Sequence, residues 1–135
     1  MANDKKAVRK IIGAVKASGR TSLTAPEGKQ VCDAYRIPVP KEGVATTAAA
    51  AAKLASGMGY PVVLKIVSPD ILHKTEAGGV LVGVKSAAEV KAGFAKILAN
   101  AKKYNRKAQI LGVQVQQMVG GGQEVIIGAV TDPSF

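Results

Sequence analysis

The sequence predicts an α+β fold, a mainly antiparallel sheet covered by helices. Three observations point to it. Apolar residues recur at helical spacing in some stretches, and gather as alternating or β-branched runs in others. Several strand-like runs are joined by short Gly-rich links rather than by regular helical crossovers. Aromatic residues make up only 4% of the chain and Trp is absent, so the core must be built from Val, Ile, Leu and Ala. Such small side chains suit helices packed closely on a sheet. With 135 residues, the chain reads as a single domain able to bury a core.

The elements follow in order. Val8, Ile11, Ile12 and Val15 mark a helix over about 4–18, and Gly19 is placed to end it. Thr24 and Glu27 have the spacing of a capping box and open a second helix that runs to about residue 35. Pro38 and Pro40 then force an extended crossing. A short strand, "KEGVAT", leads to an Ala-rich helix broken by Gly57 and Gly59. The β-branched run "YPVVLKIVS" is a strand, and "GGVLVGVK" is another. Ser86 and Glu89 repeat the capping-box spacing before a helix through about residue 103, with Val90, Phe94, Ile97, Leu98 and Ala101 inward. In "AQILGVQVQQMV", Val113 and Val115 alternate with Gln114 and Gln116, the pattern of a half-buried strand. "GGGQ" is a tight link, and "QEVIIGAV" reads as a final strand. There is no internal repeat, and the last turn signal is followed by neither a closing helix nor a polar tail, as if the chain were cut short.

Composition narrows the function. The net charge is +10, but the cations fall mainly in two runs along predicted helices, which reads as a solvated face. No aromatic platform accompanies them, which weakens single-strand nucleic-acid binding. The lone Cys32 excludes an intrachain disulfide and reads as a packed thiol, and no metal-ligand spacing occurs. No apolar run is long enough for a signal peptide or a membrane span, so a cytoplasmic protein is expected.

Three features can carry chemistry. Lys65 sits inside the apolar strand "VVLKIV"; alternation places it with Val63, opposite Leu64 and Ile66, so it faces either water or an anion. The loop 68–79 carries the only histidine, His73, and ends at Gly78-Gly79, which permits close approach of backbone to a ligand. Gln116, Gln117 and Glu124 lie at the ends of two successive predicted strands. Neither a Walker loop nor a dinucleotide fingerprint is present. Each feature taken singly fits an ordinary turn or edge.

Their order, with "SPDILHKTEAGGV" as its most specific part, resembles the ATP-grasp part of the NDP-forming acyl-CoA synthetases, the group of ADP-forming acetate–CoA ligases related to succinyl-CoA synthetase. The resemblance runs from "LTAPEGKQVCDAYRIPVP" to "QEVIIGAVTDPSF". It implies the N-terminal portion of an ATP-grasp domain, with a helical lead-in over about 1–36 and a nucleotide-binding α+β part over about 37–135. It also implies ATP or ADP as ligand, with Lys65 on the nucleotide phosphates. The backbone around Glu76, Ala77, Gly78 and Gly79 would form a flexible phosphate-covering loop. Gln116, Gln117 and Val119 would line the adenine slot, partly through backbone groups, and Glu124 would accept hydrogen bonds from the ribose hydroxyls. His73 would carry phosphoryl groups between distant acyl-CoA and nucleotide sites, a task suited to an imidazole on a mobile loop, and Lys74 would help neutralise the phosphate. Mg²⁺ ligands are expected in a later half of the fold, and CoA-binding domains or a CoA-binding subunit are the expected partners; the chain alone is expected not to turn over. The alternatives are a non-catalytic, ligand-sensing synthetase-like module of a protein acetyltransferase, and a basic nucleic-acid-binding domain.

Overall fold

The computed structural model describes residues 4–134. Four helices and four strands follow one another as α1 (Lys5–Ala17), α2 (Ala25–Ala34), β1 (Glu42–Ala45), α3 (Ala48–Met58), β2 (Val62–Val67), β3 (Val80–Val84), α4 (Ala87–Tyr104) and β4 (Gly112–Gln117). The strands form one sheet in the order β1-β4-β2-β3, and all three pairings are antiparallel. The α+β expectation therefore holds.

Local signals fix the helix starts. Asp4 Oδ1 accepts the Ala7 N–H at 2.8 Å, and Ser86 Oγ accepts the Glu89 N–H at 3.2 Å. Glu27 Oε2 accepts the Thr24 N–H at 2.7 Å, the carboxylate half of the predicted capping box. Each bond satisfies an amide that the helix itself leaves unpaired.

The core lies on one face of the sheet. Val62, Leu64, Ile66, Val113 and Val115 are fully buried there against Ala51 and Ala55 of α3 and Val90, Phe94 and Ile97 of α4. The alanines let α3 approach closely, and each buried Leu or Ile contributes about 1.5–3 kcal/mol. Helices α1 and α2 pack on each other, and none of their described residues joins this core. Among the stripe residues of α1 only Val15 is buried, and Ile12 stays 40% exposed, because the ten-residue α2 covers only part of it.

The final predicted strand is corrected. Residues 123–130 adopt no strand, and Val125, Ile126, Ile127 and Val130 are 74–98% exposed. A β-branched run becomes a strand only in a ladder, and no described strand pairs with this one.

Candidate functional site

The face of the sheet opposite the core carries the polar side chains. Strand β2 alternates as predicted: Leu64 and Ile66 are buried among the helices, while Val63 and Lys65 lie half-buried on the other face. The register sets Lys65 opposite Gln114, and sets Gln116 between Val63 on β2 and Glu42 on β1. Lys65 Nζ donates to Gln116 Oε1 at 2.9 Å, and Gln116 Nε2 donates to Glu42 Oε2 at 3.0 Å. Three adjacent strands thus contribute to one hydrogen-bonded row. Gln114 is 1% exposed, and its Oε1 has no hydrogen-bond partner among the described residues.

The loop between β2 and β3 borders this face. Lys65, His73, Lys74, Glu76 and Val80 line an open cleft of about 500 Å³ together with Leu72 and Thr75. His73 and Glu76 are exposed at the crest. Lys74 is half-buried, and its ammonium is pushed below the usual lysine range, first by burial and then by the nearby charge of Lys65. Two ammonium groups facing the same cleft attract an anion.

The loop closes on itself. Ala77, Gly78 and Gly79 donate their N–H groups to the carbonyls of His73, Thr75 and Lys74, at 3.1, 3.0 and 2.7 Å. These amides are therefore engaged within the loop in this conformation. Gly79 is buried against the sheet, where an added Cβ would lie 2.5 Å from Ile66 Cγ2, and its carbonyl accepts the Ile66 N–H at 2.7 Å. Gly78 has φ +65°, and Asn100 Nδ2 on α4 donates to its carbonyl at 3.0 Å. The glycine pair thus fastens the loop to β2 and α4.

The structure brings Lys65, His73, Glu76 and Gln116 to this face of the molecule. The Gln116 side chain, expected at an adenine slot, is occupied by Lys65 and Glu42. Gln117 ends β4, with its N–H donating to the Lys41 carbonyl at 2.8 Å. Val119 and Glu124 are exposed beyond β4 and do not line the cleft. Glu42 escaped the sequence reading; a carboxylate at the start of a strand carries no local signal of its partner 74 residues away. Among the described residues, no group of three or more His, Cys, Asp or Glu could hold a metal ion, and no helix is long and apolar enough to cross a membrane.

A family model described as an ATP-grasp domain matches residues 14–135. The chain belongs to the ATP-grasp family. Among curated relatives of this ATP-grasp chain, the 4-hydroxybutyrate–CoA ligase [ADP-forming] of Nitrosopumilus maritimus is 48% identical over 132 residues, which cover 98% of this chain and 19% of that protein. The beta subunit of acetate–CoA ligase [ADP-forming] II of Pyrococcus furiosus is 47% identical over 126 residues, 93% of this chain and 53% of that one. The chain therefore spans about half of that subunit and about a fifth of the longer ligase. Among solved structures, a Pyrococcus horikoshii protein superposes with a TM-score of 0.91 at 46% identity, covering 97% of this chain and 56% of its own. The dinucleotide-forming acetyl-coenzyme A synthetase 1 of Ca. Korarchaeum cryptofilum, in a complex with a phosphorylated phosphohistidine segment, gives 0.80 at 37% identity, covering 95% and 55%. A further structure of that synthetase holds Mg-AMPPCP.

Proposed function

We propose that this ATP-grasp chain is the nucleotide-binding and phosphoryl-relay portion of an ADP-forming acyl-CoA synthetase, which interconverts acyl-CoA, ADP and phosphate with acid, CoA and ATP. The observation that carries the reading is the shared cleft of Lys65, His73 and Lys74. Lys65 is held on a rigid strand and meets nucleotide phosphate as a point charge. His73 is exposed on a loop fastened at its glycine end, so an incoming phosphoryl group can reach its ring.

The relay balances simply. A neutral imidazole nitrogen of His73 attacks the phosphorus of a phosphohistidine on the CoA-binding part; a new N–P bond forms and the donor histidine's N–P bond breaks. A β-phosphate oxygen of ADP then attacks the same phosphorus, and the N–P bond breaks to regenerate His73. Lys65 and Lys74 offset the charge that gathers on the phosphate oxygens. When bound, Mg²⁺ would neutralise nucleotide phosphates; the described residues contain no group of three or more His, Cys, Asp or Glu to hold it. The exposed part of the loop 68–79 carries His73, and its backbone at 76–79 would cover the nucleotide phosphates. Gln117, at the end of β4, remains a proposed nucleotide contact, as do Val119 and Glu124, which require the segment after β4 to move toward the cleft. CoA-binding domains or a CoA-binding subunit would supply the acyl phosphate, in the cytoplasm.

The test is direct. The chain is titrated calorimetrically with ADP, and then incubated with Mg²⁺ and ATP labelled at the γ-phosphate, with the CoA-binding subunit of a relative present. Saturable ADP binding lost in Lys65→Ala, with acid-labile, base-stable label lost in His73→Ala, supports the proposal. Label retained in His73→Ala overturns the relay.

A further inference from the structure

We propose that Glu42 is a positioning residue for Lys65 and acts through the side-chain amide of Gln116. The inference rests on the reading that Lys65 meets nucleotide phosphate, and it concerns how that lysine is prepared.

A carboxylate only accepts hydrogen bonds, and an ammonium only donates them. An amide between the two has one donor end and one acceptor end. A single orientation satisfies both neighbours: Nε2 toward Glu42 and Oε1 toward Lys65, as observed at 3.0 and 2.9 Å. Removing Glu42 takes away the acceptor that holds Nε2, and with it the contact that fixes the Gln116 amide in this orientation. The sheet supplies the rest of the geometry. Gln116 is the register partner of Glu42 and of Val63, so Lys65, two residues along β2, is its diagonal neighbour on the same face. Diagonal pairs lie within reach of long side chains.

All three side chains are half-buried, so the bonds are shielded without being cut off from the cleft. Lys65 spends one of its three N–H groups on Gln116 and keeps two for an anion. A lysine already held before its ligand arrives loses less side-chain freedom on binding. Glu42 also places a negative charge one amide away from the ammonium, which favours keeping the ammonium at Gln116. The Gln116 side chain is thereby a spacer between two charges.

The test uses the whole 135-residue chain with ¹⁵N-labelled lysine and follows the Lys65 ammonium by nuclear magnetic resonance, assigned by its loss in Lys65→Arg. In Glu42→Leu the Nζ order parameter should fall by about half while the backbone spectrum of α3 and α4 is retained. Glu42→Gln, which keeps an acceptor, should restore part of that order. Gln116→Met, which removes the spacer, should release Lys65 as Glu42→Leu does, and it carries the test if Glu42→Leu does not fold. Unchanged Lys65 order in the folded variants overturns the proposal. In parallel, the dissociation constant for ADP should rise about fivefold in Glu42→Leu. A wild-type chain that binds no ADP counts against the nucleotide reading, and the order measurement still decides the role of Glu42.

Discussion

The backbone N–H of Gln109 donates to Asp70 Oδ2 at 2.7 Å, joining the start of the β2–β3 loop to the segment that enters β4, 39 residues on. Ser68 and Ile71 are buried on either side of Asp70. At the other end of the loop, Ala77 and Gly79 are buried as well. The loop is therefore pinned at its entry and its exit, and His73 sits exposed between the pins. This arrangement leaves the His73 side chain exposed without loosening the sheet, as the proposed relay requires.

Removing the entry pin should release the crest. Asp70→Ala loses a hydrogen bond to a charged acceptor at an exposed position, and should cost about 1 kcal/mol. The larger effect is local: amide exchange at Gln109 and across 71–76 should quicken several-fold, while exchange in β2 and β4 stays as in the wild type. Hydrogen exchange read by mass spectrometry or NMR checks both. Uniform acceleration over the whole chain would assign the bond to global stability instead.

The exit pin makes a sharper demand. A Cβ at Gly79 would meet Ile66 Cγ2 at 2.5 Å and the Lys74 carbonyl oxygen at 3.1 Å. Ile66 is fully buried and cannot withdraw. Gly79→Ala should therefore destabilise the chain by about 1–3 kcal/mol, seen as a lower denaturant midpoint with an unchanged slope. A neutral result would mean that the loop end lifts off β2 at little cost.

These pins mark the boundary of what the sequence made legible. Helix starts at Thr24 and Ser86 were readable because the two partners of a capping box lie three residues apart, and the first helix was readable from its apolar spacing. The two faces of β2 were readable because alternation is also local. The row Glu42–Gln116–Lys65 was not readable, since its bonds span 74 and 51 residues and depend on the order in which strands pair. The run 123–130 failed for a related reason. Its side chains state a preference for extended backbone, and only a neighbouring strand can turn that preference into a ladder.

The lead-in helices carry their own pH signature. Arg20 donates to both carboxylate oxygens of Glu27, at 2.9 and 2.6 Å, and with the Thr24 N–H it holds the Glu27 pKa down at about 2. A carboxylate whose pKa is lowered by folding binds fewer protons in the native state, so its stabilisation is complete above its ordinary value of 4.5 and is lost as pH falls through about 2. Because the pair is partly exposed, the contribution is about 1 kcal/mol or less. Thermal midpoints measured from pH 5 down to pH 2 should fall more steeply for the wild type than for Glu27→Gln. Parallel curves would show that the pair adds nothing to folding.

Lys74 should show the opposite balance, in which stability is given up at the cleft. Burial and the neighbouring Lys65 both disfavour its charged form in the folded chain. The unfolded chain therefore binds the Lys74 proton more tightly, and stability attributable to this group is lowest below its lowered folded value and rises as pH climbs from that value toward the ordinary 10.5. Lys74→Met keeps the length of the stem and removes the charge, so at pH 7 it should raise the thermal midpoint by about 2 °C and flatten its dependence on alkaline pH. The same substitution should weaken binding of ADP or pyrophosphate, because the repulsion between Lys65 and Lys74 is what an anion in the cleft relieves. Calorimetry on one pair of proteins reads both quantities. A gain in stability with a loss of anion affinity identifies Lys74 as a cation retained for binding, whereas a loss of stability would show that its stem, and not its charge, is what the loop requires.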